Sequence, residues 1–268
     1  GFGSTMSLAL CFASVGVEAL PKFRGRDGVD APDLPSGRPR SLYGQHVVGC
    51  CVAATCGIAI NKACQQAQIG SRMLAGSPLF SYYNSVVHQV LLFPGALLMS
   101  IMSWRRRRAL LNTEASLTSW LLSGTAEASS WHHLFQYLAF GYFVHDFTIP
   151  LSPEIVAHHI LCASLSALSL ADFGWMPRCS STCFSLITTC LEFGSLGCNL
   201  SYLNGETPGW SLAALCIMTV SNLTSANIAL WFSLAVGDGN PIARGVITGV
   251  GLVLMSLRQF FTFQQFKQ

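Results

Sequence analysis

Asp146, Glu154, His158, His159 and Glu192 lie inside, or at the edges of, segments otherwise apolar enough to cross a bilayer. An ionisable group in hydrocarbon costs several kcal/mol, so each marks a functional site unless a neighbouring helix merely satisfies it. Imidazole exchanges protons near neutral pH, and a carboxylate can fix its tautomer and orientation. The set therefore suits general acid–base chemistry. Glu154 and His158 are four apart and share a helix face. His159 points about 100° away, so one histidine can face a cavity while the other meets an adjacent helix.

Spacing also sets depth. Ser152-Pro153-Glu154 reads as a helix start, with a capping hydroxyl, a proline in the first turn and a carboxylate at the positive end of the dipole. The preceding turn then falls at 149–152, with Asp146 a few residues before it and the paired histidines a few after. At about 1.5 Å per residue all three sit roughly 5–11 Å from that turn, level on an antiparallel hairpin. His158 and Glu192 each stand fourteen residues from the loop 172–178, which makes them a candidate contact. His88 is a further contributor, on the second span and about 14 Å from its non-cytosolic end.

The same spacing argues against metal. A di-iron site needs imidazoles three or four residues apart, and His46, His88, His132, His133, His145, His158 and His159 include no such pair. Adjacent histidines on one helix diverge, so zinc on His158 and His159 is not expected either. Among eleven cysteines there is no Cys-x-x-Cys pair. Cys179, Cys183 and Cys190 share one helical face and read as small-residue packing.

Such residues need helices in lipid to position them. The chain of 268 residues is 51% hydrophobic and only 10% charged, against roughly 25% charged for a soluble domain. Apolar runs long enough to span fall at 44–61, 79–103, 131–150, 154–171, 179–203, 210–236 and 242–262. The predicted fold is all-α, a multipass transmembrane helix bundle of six to seven spans. Ala109 to Leu122, interrupted by Asn112 and Glu114, reads as an interfacial helix. Residues 1–43 form a separate stretch. In it, an apolar run from Met6 to Leu20 fits a signal-peptide core, an extra span or a surface helix, and a flexible basic linker follows from Pro21 to Arg40. The transmembrane domain is 44–268.

Alternation of sides places Lys22, Arg24, Arg26, Arg38, Arg40, Arg105 to Arg108, Arg178 and Arg244 on one face of the membrane, and Lys62, Arg72 and Lys267 on the other. By the positive-inside bias the first face is cytosolic. Because the basic residues lie in loops rather than along one surface, the net charge of +3 points to no nucleic-acid partner.

The ordered set Asn84-Ser85-x-x-His88, Gly141-Tyr142-Phe143-x-x-Asp146, Glu154-x-x-x-His158-His159 and Glu192-x-x-Ser195-x-x-x-Asn199-Leu200 resembles the TLC-domain family, which includes the ceramide synthases and smaller TLC-domain proteins. The resemblance covers roughly residues 45–262. It implies a bundle of about six helices around a lipid-accessible cavity, in the endoplasmic reticulum or a related membrane, with the plasma membrane as the alternative. It implies His158, His159 and Asp146 as catalytic residues, supported or lined by Glu192, His88, Glu154, Tyr142 and Asn199. In ceramide synthases the paired histidines are associated with transfer of a fatty acyl group from acyl-CoA to a sphingoid-base amine. Acyl-CoA would then be a co-substrate, and no bound cofactor is implied.

Ceramide synthases carry a His-Asp followed by another Asp beyond the paired histidines, whereas this chain has only Asp172 between Ile160 and Leu191. Residues 210–236 also lack an arginine that the resemblance leads one to expect. The pattern is nearer the small TLC-domain proteins, which are linked to membrane lipid composition and fluidity. The expected function is membrane lipid homeostasis or acyl-chain handling, with a membrane lipid, sphingoid base or fatty acyl chain as partner. A ceramide-synthase-like N-acyltransferase is the alternative. A proton-coupled transporter is a third class, although no inverted repeat is apparent.

Overall fold

The computed structural model describes residues 41–70, 72–74, 76–112, 120, 130–170, 180–235 and 240–265. Seven helices among the described residues coincide with the seven apolar runs: α1 (Ser41–Gln66), α2 (Leu79–Leu110), α3 (Ser130–His145), α4 (Pro153–Leu170), α5 (Ser180–Leu203), α6 (Pro208–Ala235) and α7 (Pro241–Gln265). Five of them, α1, α2, α5, α6 and α7, are long and apolar enough to cross a membrane, and α4 is a shorter apolar helix. The chain is a multipass membrane protein built as an all-α bundle. A short antiparallel hairpin, β1 (Met73–Leu74) with β2 (Ser77–Pro78), leads into α2. The N-terminal stretch to residue 40, most of the expected interfacial helix 109–122, and Asp172, Arg178 and Cys179 lie outside the described residues.

Local chemistry explains the helix ends. α4 opens on Pro153, with Ile155 N–H donating to Ser152 Oγ at 3.5 Å, a long cap at the place the sequence predicts. Prolines likewise occupy the first positions of α6 and α7, where the missing N–H would be unpaired in any case. α5 ends on Gly205 at φ 75°, with Glu206 N–H donating to Ser201 O at 2.9 Å and Gly205 N–H to Tyr202 O at 3.1 Å. That is the reciprocal C-terminal bonding a left-handed glycine permits.

Inside the bundle, about as many polar as apolar side chains are buried, while Val47, Leu98, Met102, Leu212, Val220 and Val253 face outward. Lipid supplies no hydrophobic drive between helices, so close backbone approach and interhelical hydrogen bonds hold them. Gly49, Ala53 and Gly57 form such a seam on α1. A Cβ at Gly49 would stand 2.6 Å from the Tyr137 ring, one at Gly57 2.8 Å from His145 Cβ, and one at Gly141 of α3 2.8 Å from the Ala53 carbonyl carbon. Gly194 and Gly197 of α5 admit Met218, Ser221 and Ile217 of α6 in the same way. An aromatic core of Phe93, Trp104, Phe135, Tyr142 and Phe143 joins α2 to α3.

α2 is widened at one turn by its proline. Pro94 cannot donate to the carbonyl of Val90 and its ring crowds that oxygen. Over His88–Leu92 the helix opens to a π-turn, with Phe93 N–H donating to His88 O. The extra residue lets two consecutive side chains face inward: His88 packs on Tyr142 and His145 of α3, while Gln89 reaches Glu192 of α5. π-turns recur at functional sites for this reason.

Candidate functional site

The turn between α3 and α4 carries a cluster of ionisable groups. Asp146 opens a single 3-10 turn, 146–148, closed by Ile149 N–H donating to Asp146 O at 3.1 Å. α1 clamps this turn: Asn61 Nδ2 donates to His145 O at 3.2 Å and to Thr148 Oγ1 at 3.1 Å, and Gln65 Nε2 donates to Thr148 O at 3.2 Å. These bonds satisfy backbone groups that lipid would leave unpaired.

The Asp146 carboxylate stands between two imidazoles. Oδ1 is 3.4 Å from His145 Nε2, and Oδ2 is 3.6 Å from His159 Nδ1. All three residues are buried. His159 Nδ1 makes no hydrogen bond among the described residues, so a slight side-chain shift toward Oδ2 closes that contact. A carboxylate on Nδ1 holds the N–H there and leaves Nε2 as the base. The rings of Phe143, Phe147 and His158 surround His159, with centroids at 5.5, 6.3 and 5.6 Å. Excluding water in this way strengthens the electrostatics of the pair.

His145 has a readable protonation state. Its Nδ1 faces the carbonyl oxygens of Tyr142 at 2.5 Å and Gly141 at 3.2 Å. Carbonyls only accept, so Nδ1 carries a hydrogen. Asn84 Nδ2 lies 2.7 Å from Nε2. His88 Nδ1 donates to Asn84 O at 2.9 Å, and its ring stacks on His145 with centroids 5.8 Å apart. Tyr142 is buried under the His88 ring.

A second polar centre lies against α5. Gln89 Nε2 donates to Glu192 Oε2 at 2.9 Å, and Asn199 Nδ2 donates to Gln89 Oε1 at 3.0 Å. Arg258 of α7 donates to Leu191 O, to Ser195 Oγ at 2.6 Å and to Asn222 Oδ1 at 3.5 Å. It also stands near enough to Glu192, His158 and Cys162 to act on them through its charge.

Of the residues that the sequence singles out, the structure brings Asp146 and His159 together, His88 and Tyr142 one ring layer away, and Glu192 and Asn199 into the second centre. His158 is half-buried and its Nε2 lies 3.6 Å from Cys162 Sγ, one turn along α4. The expected His158–Glu192 contact does not form: Glu192 takes Gln89, and His158 lies against Cys162. Glu154 is the second residue of α4, and its side chain, with the expected pairing to His158, lies outside the described set.

Sequence reasoning gave no role to Asn61, Gln89 or Arg258, named His145 only among the histidines, and took Asn84 only as part of a motif. Arg258 belongs to no loop and so entered neither side of the charge count. A signal for the second centre was available in Ser181, Ser185, Thr188, Glu192, Ser195 and Asn199, spaced alternately four and three along α5. That period keeps a polar stripe on one helix face. Gln136 Nε2 donates to the hydroxyls of Ser181 at 3.3 Å and Ser185 at 2.8 Å at the N-terminal end of that helix. Comparison with known proteins finds no match to a family model, a curated protein or a solved structure.

Proposed function

We propose that this membrane protein handles a lipid or acyl chain within the bilayer, as the small TLC-domain proteins it resembles are thought to do, with Asp146 and His159 as its working pair and the endoplasmic reticulum as its membrane. The observation that supports the reading most directly is the 3.6 Å approach of Asp146 Oδ2 to His159 Nδ1 inside a bundle with an apolar outer surface. A proton-exchanging pair in that position serves a substrate that partitions into lipid rather than one arriving through water. The test is the lipid profile of cells lacking the protein, rescued with wild type, His159→Ala or Asp146→Asn at matched expression. Loss should shift phospholipid acyl chains, wild type should restore them, and neither variant should. An unchanged profile on loss overturns the reading.

The carboxylate 3.6 Å from Nδ1 favours a narrower second reading, an acyl-CoA-dependent N-acyltransferase acting on a sphingoid-type amine. His159 Nε2 takes a proton from the amine as its nitrogen bonds to the thioester carbonyl carbon. The carbon–sulfur bond then breaks, and the proton passes to the departing thiolate. A lipid change confined to ceramides supports this reading; a broad change in phospholipid chains supports the first.

A further inference from the structure

Neutral imidazole has one ring lone pair. In His145 the hydrogen on Nδ1 is committed to the carbonyls of Tyr142 and Gly141, so the lone pair lies on Nε2. Two groups compete for that atom: the Asn84 amide at 2.7 Å and Asp146 Oδ1 at 3.4 Å. They make opposite demands. The Asn84 N–H needs the lone pair free, whereas a carboxylate bonds Nε2 only when a proton stands between them. While Asn84 donates, His145 stays neutral and Asp146 keeps its full negative charge for the N–H on His159 Nδ1, 3.6 Å from Oδ2. Remove the Asn84 donor, and Nε2 is free to take a second proton from solvent; His145 becomes an imidazolium, and its ion pair with Asp146 Oδ1 weakens the hold of the carboxylate on His159.

We propose that Asn84 is a positioning residue, which by occupying the lone pair of His145 Nε2 reserves Asp146 for His159 and so sets the tautomer of His159. The proposal rests on the reading that Asp146 and His159 are the working pair. The surroundings leave His145 little other choice. The titratable groups facing it are Tyr142 and Asp146 from its own segment, His88 from α2 and His159 from α4. α1 presents Gly57, whose missing Cβ lets His145 approach, and Asn61, which donates to the His145 carbonyl. Asn84 is itself held by the bond from His88 Nδ1 to its backbone oxygen.

The test uses the full chain labelled with 15N-histidine in lipid bilayers. Imidazole nitrogen shifts report which ring nitrogen carries the hydrogen, and His145→Phe and His159→Gln variants assign the two rings. In wild type, His145 and His159 should both carry hydrogen on Nδ1. Asn84→Leu should protonate His145 Nε2 and lower the ratio of Nδ1–H to Nε2–H tautomer at His159 by about tenfold, the worth of one hydrogen bond to a charged group. In a His145→Phe background the same substitution should leave His159 unmoved, because the effect travels through His145. An unchanged His159 ratio in Asn84→Leu, or an equal change in the His145→Phe background, overturns the proposal. Asn84→Asp keeps the size of the residue if the leucine variant does not fold, and it too should protonate His145 Nε2. A nitrogen that stays unprotonated there is equally fatal. These spectra are independent of the lipid profile, so the proposal and the lipid-handling reading fail separately.

Discussion

At the residue scale, burial and function separate. Cys183 is 2% exposed, packed with Phe232 and Trp231, and His159 is 8% exposed beside a carboxylate. Exchanging Cys183 for alanine removes little volume and should cost under about 1.5 kcal/mol, so Cys183→Ala should restore the lipid profile fully. His159→Ala deletes an imidazole able to exchange protons and should restore none of it, with insertion verified for both. Arg258 tests the second centre. Arg258→Gln withdraws three hydrogen bonds and the cation near Glu192, and should lower stability in detergent by about 1–3 kcal/mol. Adding Glu192→Gln removes the charge left behind, so the double variant should lose less than the sum of the two singles. Strict additivity in thermal unfolding would show that Glu192 and Arg258 do not compensate each other.

At the scale of elements, the glycine seam between α1 and α3 locates the acidic turn. A methyl at Gly141 would stand 2.8 Å from the Ala53 backbone, whereas Gly95 of α2 has open space around it. Gly141→Ala should therefore push the helices apart and cost about 1–3 kcal/mol. Gly95→Ala should stabilise by roughly 0.5–1 kcal/mol through helix propensity. Apparent melting temperatures measured side by side distinguish the two, and equal shifts would remove the seam as the determinant. If the seam also aims the turn, Gly141→Ala should weaken lipid rescue even where protein survives, because Asn61 and Gln65 of α1 hold the turn bearing Asp146.

For the whole molecule, orientation follows from the basic loops. Tags after Arg108 and at Arg178 should be cytosolic, and a tag within 204–209 should face the other side. Protease protection placing 108 and 204–209 on one side would break the span count between them. On this orientation the Asp146 turn lies toward the non-cytosolic side, and the stripe on α5 runs from there toward the cytosol. α3 rises only about 24 Å over its 16 residues, less than the roughly 30 Å hydrocarbon core. A helix of that length starting at the cytosolic surface would leave its acidic turn below the far surface, within reach of lipid tails.

Hydropathy alone placed all seven helices, because a helix in lipid satisfies its own backbone and is legible as an apolar run with no knowledge of its neighbours. Ser152-Pro153 marked the start of α4 for an equally local reason, and the intramembrane Asp146 and paired histidines stood out because charge is rare in such runs. Partnership was decided only by tertiary structure. His158 and Glu192 are level in sequence yet take Cys162 and Gln89, since contact depends on helix rotation as well as depth. The rotation of α2 turns on the π-turn at Pro94, which presents His88 and Gln89 to different helices. Asn84, His145 and Arg258 gain their meaning from distances across two or three helices. A sequence records which side chains are polar, but which lone pair faces which N–H is set by how the helices pack.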